Sequence, residues 1–486
     1  MPVELSGDAT ELRDADVVVE LVREGTEPGS DPAGRAYRAA GFTGRPGEDL
    51  LVASDDGTVL LVGVGPAEEL DPGAVRRGLA RAAPSLLGYP TVGIPLPADA
   101  GRGSDVIAAA AEGILLGSHR FDRFRTRSEA RAPGRFLLAP PRGTDSTVAE
   151  EALAFGIASA EAGIEARDLA NTPANHCTPE DLATHAGSLA SLPGLEVEVW
   201  REDELERERC GGIIGVGQGS AAPPRLLLLD YRGAGDEPPI ALAGKGITFD
   251  AGGTSVKHEA HLEWMKVDMA GGAAVLAAMH AIAELRLPVN VVAAIPCADN
   301  LTGPTAIKPG DVLSLRSGKT CEIVNTDYEG RVVLADALDV LLERSPTAIV
   351  IAATLWGGGE ALGEEISPLF GNESSLVQEV LLAAAAAGEP AWQLPLWPPY
   401  RRELMSNVAD LKNKPADQGA MITAAMFLGE FTGDVPWAYL DLGETAWAGK
   451  AWDLGEAGAT GVSARTMLRF ASARAGGTSP PDRTRS

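Results

Sequence analysis

The stretch IALAGKGITFDAGG, residues 240–253, carries the strongest indication of the fold. Ile240–Ala243 is an apolar run typical of a strand buried on both faces, as in a parallel sheet covered by helices. A glycine-containing segment with Lys245 and Asp250 follows at the carboxyl end of this strand. Ligands of open α/β sheets bind beyond the carboxyl ends of the strands. The stretch therefore predicts an α/β fold with candidate functional residues at that edge.

Strand-like and helical patterns alternate on both sides of this stretch, which is typical of α/β domains. We expect an N-terminal α/β domain at residues 1–145, a linker helix at 146–169 and a larger C-terminal α/β domain at 170–474 with a mainly parallel central sheet. Residues 475–486 are rich in Gly, Ser, Pro and Arg, which predicts a disordered tail. The predicted strands are Val17–Val22, Val59–Val64, Thr91–Pro95, Phe136–Leu138, Glu196–Trp200, Arg225–Leu229, Ile240–Ala243, Val289–Ala294 and Ala348–Ala353, and the predicted helices besides the linker are 74–87, 105–116, 270–285, 334–343 and 374–387.

Composition excludes several classes of function. The 486 residues include 41 Lys and Arg against 68 Asp and Glu, so the net charge is −27. This charge disfavours nucleic acid and anionic membranes as partners, because phosphates would be repelled. Apolar runs are shorter than the roughly 18 residues of a membrane-spanning helix, and no secretory signal is visible, so we expect a cytoplasmic protein. The four cysteines are widely spaced and are expected to be reduced, buried thiols.

Acidic residues cluster around the predicted strand ends. Asp250 closes the opening stretch, and Asp268 lies in MKVDMAGGAAV (265–275), just before a predicted helix that begins with small residues. Small residues let the helix pack closely and leave the acid facing the strand ends. Ordinary alternatives are a helix N-cap for Asp268 and a solvated side chain for Lys245.

A second acidic motif, NTDYEGRVVLADAL, occupies residues 325–338. Asp327, Glu329 and Arg331 alternate along it, so in an extended chain their side chains would lie on one side. With the two earlier acids they make four carboxylates, which match two divalent cations in charge. Oxygen ligands with few histidines favour Mn²⁺, Mg²⁺ or Zn²⁺. The alternative is a solvated acidic edge, which the apolar flanking sequence disfavours.

These segments resemble the leucyl aminopeptidase (cytosol aminopeptidase) family of dinuclear-metal exopeptidases. The family signature NTDAEGRL corresponds to NTDYEGRV here, the family's GKGITFDSGG-like run to GKGITFDAGG, and its MKxDM motif to MKVDM. Further similar segments are NTPAN at 171–175, GVGQGSAAPPRLLLLDY at 215–231, MSNVADLKN at 405–413 and LDLGETAW at 440–447. The similarity runs in order from about residue 110 to about residue 470.

The resemblance implies a metal-dependent aminopeptidase that hydrolyses the N-terminal peptide bond of peptides with a free α-amine, through a dinuclear metal centre and an activated bridging water. Residues 170–474 would then be the catalytic domain. The implied site consists of metal ligands, two catalytic residues and a substrate-binding group. One metal ion would be bound by Lys245, Asp250, Asp268 and Glu329 and the other by Asp250, Asp327 and Glu329; the catalytic residues would be Lys257 and Arg331, and the substrate-binding residues Met265, Thr354, Leu355 and Gly357.

The resemblance also implies cofactors and partners. We expect two divalent ions per subunit, Zn²⁺ or Mn²⁺ with Mg²⁺ or Co²⁺ as alternatives, and a bicarbonate bound at Arg331. The partners would be peptide substrates and five further copies of the chain in a homohexamer. Two other functions stay open: a non-enzymatic scaffold or regulatory role, and a dinuclear hydrolase of another bond, such as a phosphoester.

Three residues depart from the family pattern. Tyr328 replaces a small residue between two implied metal ligands, Lys308 replaces an Arg, and Trp356 replaces a small polar residue in TLWGGG at 354–359. We expect Tyr328 to crowd the surroundings of the metal ligands. Trp356 either enters the pocket and shortens it for bulky leading residues or packs outward, and the first arrangement is favoured.

Overall fold

The computed structural model describes residues 1–6, 11–26, 32–54, 57–127, 134–356, 359–415 and 418–476. The chain divides into two compact units. Unit 1 consists of Met1–Ile164 and Gly449–Ala457, and unit 2 of Glu165–Ala448 and Gly458–Ser486. The segment 449–457 belongs to unit 1, although it lies within the range predicted for the second domain. From residue 477 onward, the tail predicted at 475–486 lies outside the described residues.

Unit 1 contains a six-stranded sheet. Its strands are β1 (Val3–Leu5), β2 (Val17–Arg23), β3 (Asp49–Ser54), β4 (Gly57–Gly65), β5 (Thr91–Pro95) and β6 (Arg135–Ala139). Their order is β1-β6-β5-β2-β4-β3, and all neighbours are parallel except the antiparallel pair β3 and β4. The four strands predicted in this region are confirmed, whereas the edge strands β1 and β3 were not predicted.

Among the described residues, four helices accompany this sheet: α1 (Pro32–Ala40), α2 (Pro72–Leu86), α3 (Gly103–Ser118) and α4 (Ser146–Asn171). Helix α4 confirms the helix predicted at 146–169, and the boundary between the two units falls inside it. A buried ion pair between Arg76 of α2 and Glu112 of α3 is completed by Ser159 of α4, whose hydroxyl donates to Glu112 at 2.6 Å. Because breaking a buried charge pair is costly, these contacts hold the three helices in one arrangement.

Unit 2 is built on a nine-stranded sheet. Its strands are β7 (Leu195–Trp200), β8 (Arg225–Arg232), β9 (Ile240–Gly244), β10 (Gly246–Asp250), β11 (Asn290–Asn300), β14 (Ile349–Ala353), β15 (Ser367–Gly371), β16 (Ala391–Gln393) and β18 (Trp437–Asp441). Two small sheets contain the strands β12 (Val312–Ser314), β13 (Thr320–Glu322) and β17 (Leu411–Lys412), and β19 (Trp447–Ala448) and β20 (Gly458–Ala459). The large sheet has the order β16-β15-β18-β14-β9-β11-β8-β7, and β10 also pairs with β11. The central strands β18, β14, β9 and β11 are parallel, while β8, β7 and β15 join through antiparallel pairs.

Helices cover both faces of this sheet. The α-helices of this unit are α5 (Pro179–Ser188), α6 (Glu202–Arg207), α7 (Gly211–Gly217), α8 (Glu259–Leu262), α9 (Ala270–Glu284), α10 (Gly330–Leu342), α11 (Gly359–Leu362), α12 (Ser374–Ala387), α13 (Ala420–Gly429) and α14 (Ala464–Ala475). Along the whole chain, 3₁₀ helices lie at Glu11–Asp14, Ala67–Glu69, Leu189–Ser191, Met265–Met269 and Pro398–Leu404. Helices α7, α10 and α13 share one apolar cluster with inward residues of the central strands. Helix α9 contacts β9, β11 and β14 outside that cluster and packs against α14.

Helix α9 lies unusually close to the central strands. A Cβ atom on Gly271 would overlap the backbone oxygen of Ala352 in β14, so only glycine permits this approach. The stretch Met265–Glu284 is long and apolar enough to cross a membrane by length and composition, but 89% of its apolar window is buried inside the protein. Helix α9 is therefore a core helix, and it places the preceding 3₁₀ helix, Met265–Met269, at the carboxyl edge of the sheet.

Candidate active site

Strand ends and helix starts meet at the candidate site. Lys245 lies between β9 and β10, and Asp250 is the last residue of β10. Asp268 lies in the 3₁₀ helix before α9, Glu329 is the N-cap of α10, and Thr354 directly follows β14. Because β9, β10, β11 and β14 are parallel, these positions share one edge of the sheet, where α/β proteins bind ligands.

The segment 325–331 is not an extended chain, so the predicted conformation is wrong, although Asp327, Glu329 and Arg331 do lie around one cavity. Asp327 lies in a turn, Glu329 has helical dihedral angles (φ −77°, ψ −34°), and Arg331 is already in α10. The physical reason is that the helix begins at Gly330, four residues before the predicted start. A Cβ atom at Gly330 would lie 2.5 Å from Cε of Lys245, so glycine also gives that side chain its space.

Lys245 pairs with two of the four carboxylates. Its Nζ lies 2.7 Å from Oδ2 of Asp268 and 2.7 Å from Oε1 of Glu329, and it donates to the backbone oxygen of Thr354 at 2.9 Å. The Thr354 hydroxyl donates to Oδ1 of Asp268 at 2.7 Å. Asp268 is therefore held by side chains from two strand ends, and it is not the N-cap of α9, a position that Met269 takes.

Lys257 pairs with the other two carboxylates. Its Nζ lies 2.8 Å from Oδ2 of Asp250 and contacts Oδ1 of Asp327. The second oxygen of Asp250 accepts the backbone N–H of Gly252 at 2.9 Å. Lys245 and Lys257 thus bring two positive charges to four carboxylates and compensate them only in part.

The ionisation of this cluster follows from burial and mutual charge. Burial raises the pKa of Asp327 to about 7, and the charge of Asp250 adds to this effect. Burial likewise raises the pKa of Asp268 well above its ordinary value. Burial opposes the charged forms of Lys245 and Lys257, but the neighbouring carboxylates outweigh it and raise the pKa of both lysines. Without a cation, Asp268 and Asp327 therefore resist ionisation beside the other carboxylates, and a bound cation would favour their charged forms.

Asn300 is a site residue that the sequence analysis missed. It is the last residue of β11, and its Nδ2 donates to Oδ1 of Asp250 at 2.8 Å and to the backbone oxygen of Thr326 at 2.9 Å. The same amide lies 3.4 Å from Oε2 of Glu329. Asn300 therefore orients two candidate ligands. The sequence feature that could have identified Asn300 is its position at the end of a long apolar strand, next to the other strand ends that carry candidate ligands.

Arg331 is buried next to an aromatic ring. It is 1% exposed, burial lowers its pKa, and its Nε and Nη1 have no hydrogen-bond partner among the described residues. Its Cζ lies 5.0 Å from the ring centre of Tyr328. A planar cation with unsatisfied donors is suited to hold an anion through two hydrogen bonds.

A cavity of about 40 Å³ connects these groups. The residues around it come from the segments that carry the predicted metal ligands, from the start of α10 and from the end of β14. They are Lys245, Asp250, Lys257, Asp268, Asp327, Tyr328, Glu329, Gly330, Arg331, Thr354 and Leu355. Of the predicted substrate-binding residues, Thr354 and Leu355 line this cavity, Met265 begins the 3₁₀ helix that carries Asp268, and Gly357 lies outside the described residues. Trp356, which is 44% exposed, is not among the lining residues, so the position in the pocket that the sequence favoured is wrong.

The donor set fits a divalent cation. Oxygens of Asp250, Asp327 and Glu329 lie within 4.8 Å of one another, close enough to share one ion. Carboxylate oxygens are the ligands of hard cations, and the cavity has room for several water-sized occupants, each of which needs roughly 10–15 Å³. The predicted ligands are therefore brought together at one place.

Profiles of known families identify the chain. The profile described as the catalytic domain of the cytosol aminopeptidase family matches residues 164–468, and that of the family's N-terminal domain matches residues 33–128. The chain belongs to the cytosol aminopeptidase family. It is therefore a metal-dependent aminopeptidase, a hydrolase with the two-domain organisation of this family, and the predicted resemblance is confirmed.

Individual relatives agree with this family membership. The chain is 41% identical over 460 residues to the probable cytosol aminopeptidase of Syntrophotalea carbinolica, with 90% of each chain covered, and 46% identical over 373 residues to that of Roseiflexus castenholzii, with 75% and 76% covered. Among solved structures, the bottromycin maturation enzyme BotP in complex with Mn is similar with a TM-score of 0.87, 36% identity and coverage of 95% of this chain and 100% of BotP. A mutant of tomato leucine aminopeptidase is similar with a TM-score of 0.86, 27% identity and coverage of 97% and 96%.

Proposed function

We propose that the chain removes N-terminal residues from peptides with a free α-amine by means of two divalent metal ions held in the carboxylate cluster. The observation that carries this proposal is the convergence of Asp250, Asp327 and Glu329 oxygens within 4.8 Å at the carboxyl edge of the sheet. Family membership supports the aminopeptidase reaction, and the partly compensated negative charge supports the cations.

The proposed ligands divide into two sets that share two carboxylates. The first set is Lys245, Asp250, Asp268 and Glu329, and the second is Asp250, Asp327 and Glu329. Lys245 would have to ligate as a neutral amine, and adjacent cations favour loss of its proton. We propose Zn²⁺ or Mn²⁺, with Mg²⁺ or Co²⁺ as alternatives; the Mn complex of the similar enzyme BotP supports manganese.

Two cationic residues complete the proposed chemistry. When bound, the metal pair polarises the scissile carbonyl and lowers the pKa of a bridging water. Lys257 is the proposed donor to the oxyanion that develops on the substrate, because its Nζ lies within the carboxylate cluster, 2.8 Å from Oδ2 of Asp250. Arg331 is suited to hold a bicarbonate, since its Nε and Nη1 lack hydrogen-bond partners among the described residues.

We assign substrate binding to Met265, Thr354, Leu355 and Gly357. The geometry supports Thr354 and Leu355 most directly, because both line the cavity beside the carboxylates. Thr354 also fixes Asp268 through its hydroxyl, so binding and metal ligation are coupled at this residue.

Metal depletion and reconstitution test this proposal. The purified protein is treated with a chelator, dialysed and assayed with Mn²⁺ or Zn²⁺ on leucine anilide, N-acetyl-leucine anilide and an aryl phosphate. We expect restored cleavage of the free-amine substrate alone. Asp268→Asn should impair reconstitution, whereas Asp434→Asn, a control at an exposed acid of the same unit, should not. Full activity without metal, or equal cleavage of the acetylated substrate, would contradict the proposal.

We further propose a cytoplasmic homohexamer. The naming of many relatives as cytosol aminopeptidases supports the location, and the family resemblance supports the assembly. Light scattering coupled to size-exclusion chromatography should give six times the mass of one chain, and a monomer at assay concentrations would refute the hexamer.

A further inference from the structure

Asn413 is a fully buried residue beside the segment that carries two of the proposed ligands. It directly follows strand β17 and ends the segment MSNVADLKN at 405–413. Its backbone N–H donates to the oxygen of Glu322, the last residue of β13, at 3.0 Å. The chain continues from β13 through residues 323–329 to α10, so this contact places Asn413 next to that connection. The side chain is 0% exposed and is not among the residues that line the cavity.

The side-chain amide of Asn413 binds the backbone of this connection through both of its polar atoms. Nδ2 donates to the backbone oxygen of Asn325 at 2.7 Å and to that of Tyr328 at 3.3 Å. Oδ1 accepts the backbone N–H of Val324 at 2.9 Å and that of Asn325 at 3.4 Å. A primary amide offers two donor hydrogens and an oxygen with two lone pairs, so these four contacts use its whole hydrogen-bonding capacity.

These contacts fix the backbone on either side of Asp327. The N–H of Tyr328 donates to the backbone oxygen of Asn325 at 3.3 Å and closes a turn at 325–328, and the N–H of Asp327 donates to Oδ1 of Asn325 at 2.8 Å. The turn belongs to no helix or strand, so its conformation depends on contacts of this kind. Glu329 follows Tyr328 directly, and the same contacts therefore set where both carboxylate side chains begin.

We propose that Asn413 is a positioning residue that holds the turn 325–328 so that the carboxylates of Asp327 and Glu329 meet that of Asp250. This inference rests on the proposed function, because these three residues are proposed metal ligands. Their oxygens lie within 4.8 Å of one another, and a shift of the turn would separate them. Replacement of a residue that orients metal ligands typically lowers metal affinity or activity by about 10- to 100-fold. The same is expected of Asn413, although its amide contacts backbone atoms rather than the ligand side chains.

Asn290 provides a matched control. It is 1% exposed and begins β11 in the same unit, and its amide also binds backbone groups. Nδ2 donates to the oxygens of Gly235 at 2.8 Å and Glu237 at 2.6 Å, and Oδ1 accepts the N–H of Ala234 at 2.8 Å. These partners lie between β8 and β9, at the end of β11 opposite to Asn300. Loss of a buried amide should therefore destabilise both regions in a similar way, whereas only Asn413 should affect the metal ligands.

Mn²⁺ binding by the wild type, Asn413→Asp and Asn290→Asp tests the inference. Each protein is depleted of metal and titrated with Mn²⁺ by calorimetry, and its urea unfolding is measured in parallel. Both substitutions keep the size of the side chain but replace a donor with an acceptor, so both should lower the stability. We expect Asn413→Asp to weaken Mn²⁺ binding by about 10- to 100-fold and to raise by a similar factor the Mn²⁺ concentration that half-activates cleavage of leucine anilide. Asn290→Asp should leave both values unchanged.

Asn413→Ser is a second variant, which removes the amide without adding a charge and keeps the test decisive if Asn413→Asp does not fold. A new carboxylate would by itself attract a cation, so weaker binding in Asn413→Asp would reflect geometry and not charge. Equal Mn²⁺ affinities of the wild type and Asn413→Ser, or an equal loss in Asn413→Asp and Asn290→Asp, would overturn the inference. In each of these outcomes the wild type still binds Mn²⁺ and cleaves the anilide, whereas a wild type that does neither would refute the proposed function itself.

Discussion

Glu165 is the residue whose substitution should reveal how the helix next to the site is anchored. It lies in α4, and its two carboxylate oxygens pair with Nε2 of His185 at 2.6 Å and with Nδ1 of His280 at 2.7 Å. His280 belongs to α9, the helix that follows Asp268. We expect Glu165→Gln to lower the free energy of unfolding and to do so in a pH-dependent way.

The magnitude follows from the pKa of Glu165. Burial alone would raise this pKa, but the hydrogen bonds and charges of the two histidines outweigh burial and lower it to about 2. Compared with an ordinary glutamate near 4.5, this difference corresponds to about 3 kcal/mol at most. Since glutamine can keep one of the two hydrogen bonds, we expect a loss of about 2 kcal/mol. Because the pKa is lower in the folded state, the stabilisation is present above about pH 4.5 and is lost as the pH falls towards about 2.

Urea unfolding at several pH values measures this effect. The difference in unfolding free energy between the wild type and Glu165→Gln should be fully present at about pH 5 and should shrink as the pH falls below about 4.5. Glu151→Gln, at an exposed position of the same helix, is the matched control and should stay within about 0.5 kcal/mol of the wild type. A constant difference across this range, or one no larger than the control's, would refute the reasoning.

Three further substitutions concern the site. Asp268→Ala should reduce kcat by more than roughly 100-fold, because loss of a proposed metal ligand should cost more activity than loss of a residue that only supports a ligand. The melting temperature of the metal-free protein should change little. A small loss of kcat would argue against ligation by Asp268. Lys257→Met should lower kcat by about 10²- to 10³-fold with little change in KM, and equal changes in kcat and KM would indicate a substrate-binding lysine instead. Gly330→Ala should weaken Mn²⁺ binding by about tenfold or more, because the added Cβ would lie 2.5 Å from Cε of Lys245 and 2.7 Å from Cδ2 of Leu355. The control Gly187→Ala, where the added Cβ meets open space, should bind Mn²⁺ normally, and equal affinities of the two variants would contradict this steric explanation.

The predicted strands include those buried on both faces and also the edge strand β7, which is partly exposed. Ile240–Ala243 and Ala348–Ala353 are continuous apolar runs, and both correspond to central strands, β9 and β14. Strand β10 was not predicted, because glycine, threonine and aspartate interrupt its apolar pattern and its pairing with β11 stabilises it in the folded chain. The edge strands β1 and β16 were missed because three residues are too few to form a recognisable pattern, and β3 was missed although it contains the apolar run LLVA at 50–53.

The candidate site was partly predictable for a different reason. Its acidic motifs stand out in the sequence, but their conformations do not. Asp327, Glu329 and Arg331 do line one cavity, but a turn and a helix start bring them there, and not the extended chain that their alternation suggested. Asn300 carries no motif of its own, and only the pairing of β10 with β11 brings its amide to Asp250.

By itself, the sequence determined the alternating α/β organisation, the buried central strands and, through motifs resembling a known family, the set of candidate ligands. These follow from local composition and spacing, which act along the chain. The tertiary structure alone decided which lysine pairs with which carboxylates, the role of Asn300 as an orienting amide and the contact of Asn413 with the turn that carries Asp327. Such contacts join residues from separate strand ends, and only the register of the sheet and the close packing of α9 and α10 against it set their distances.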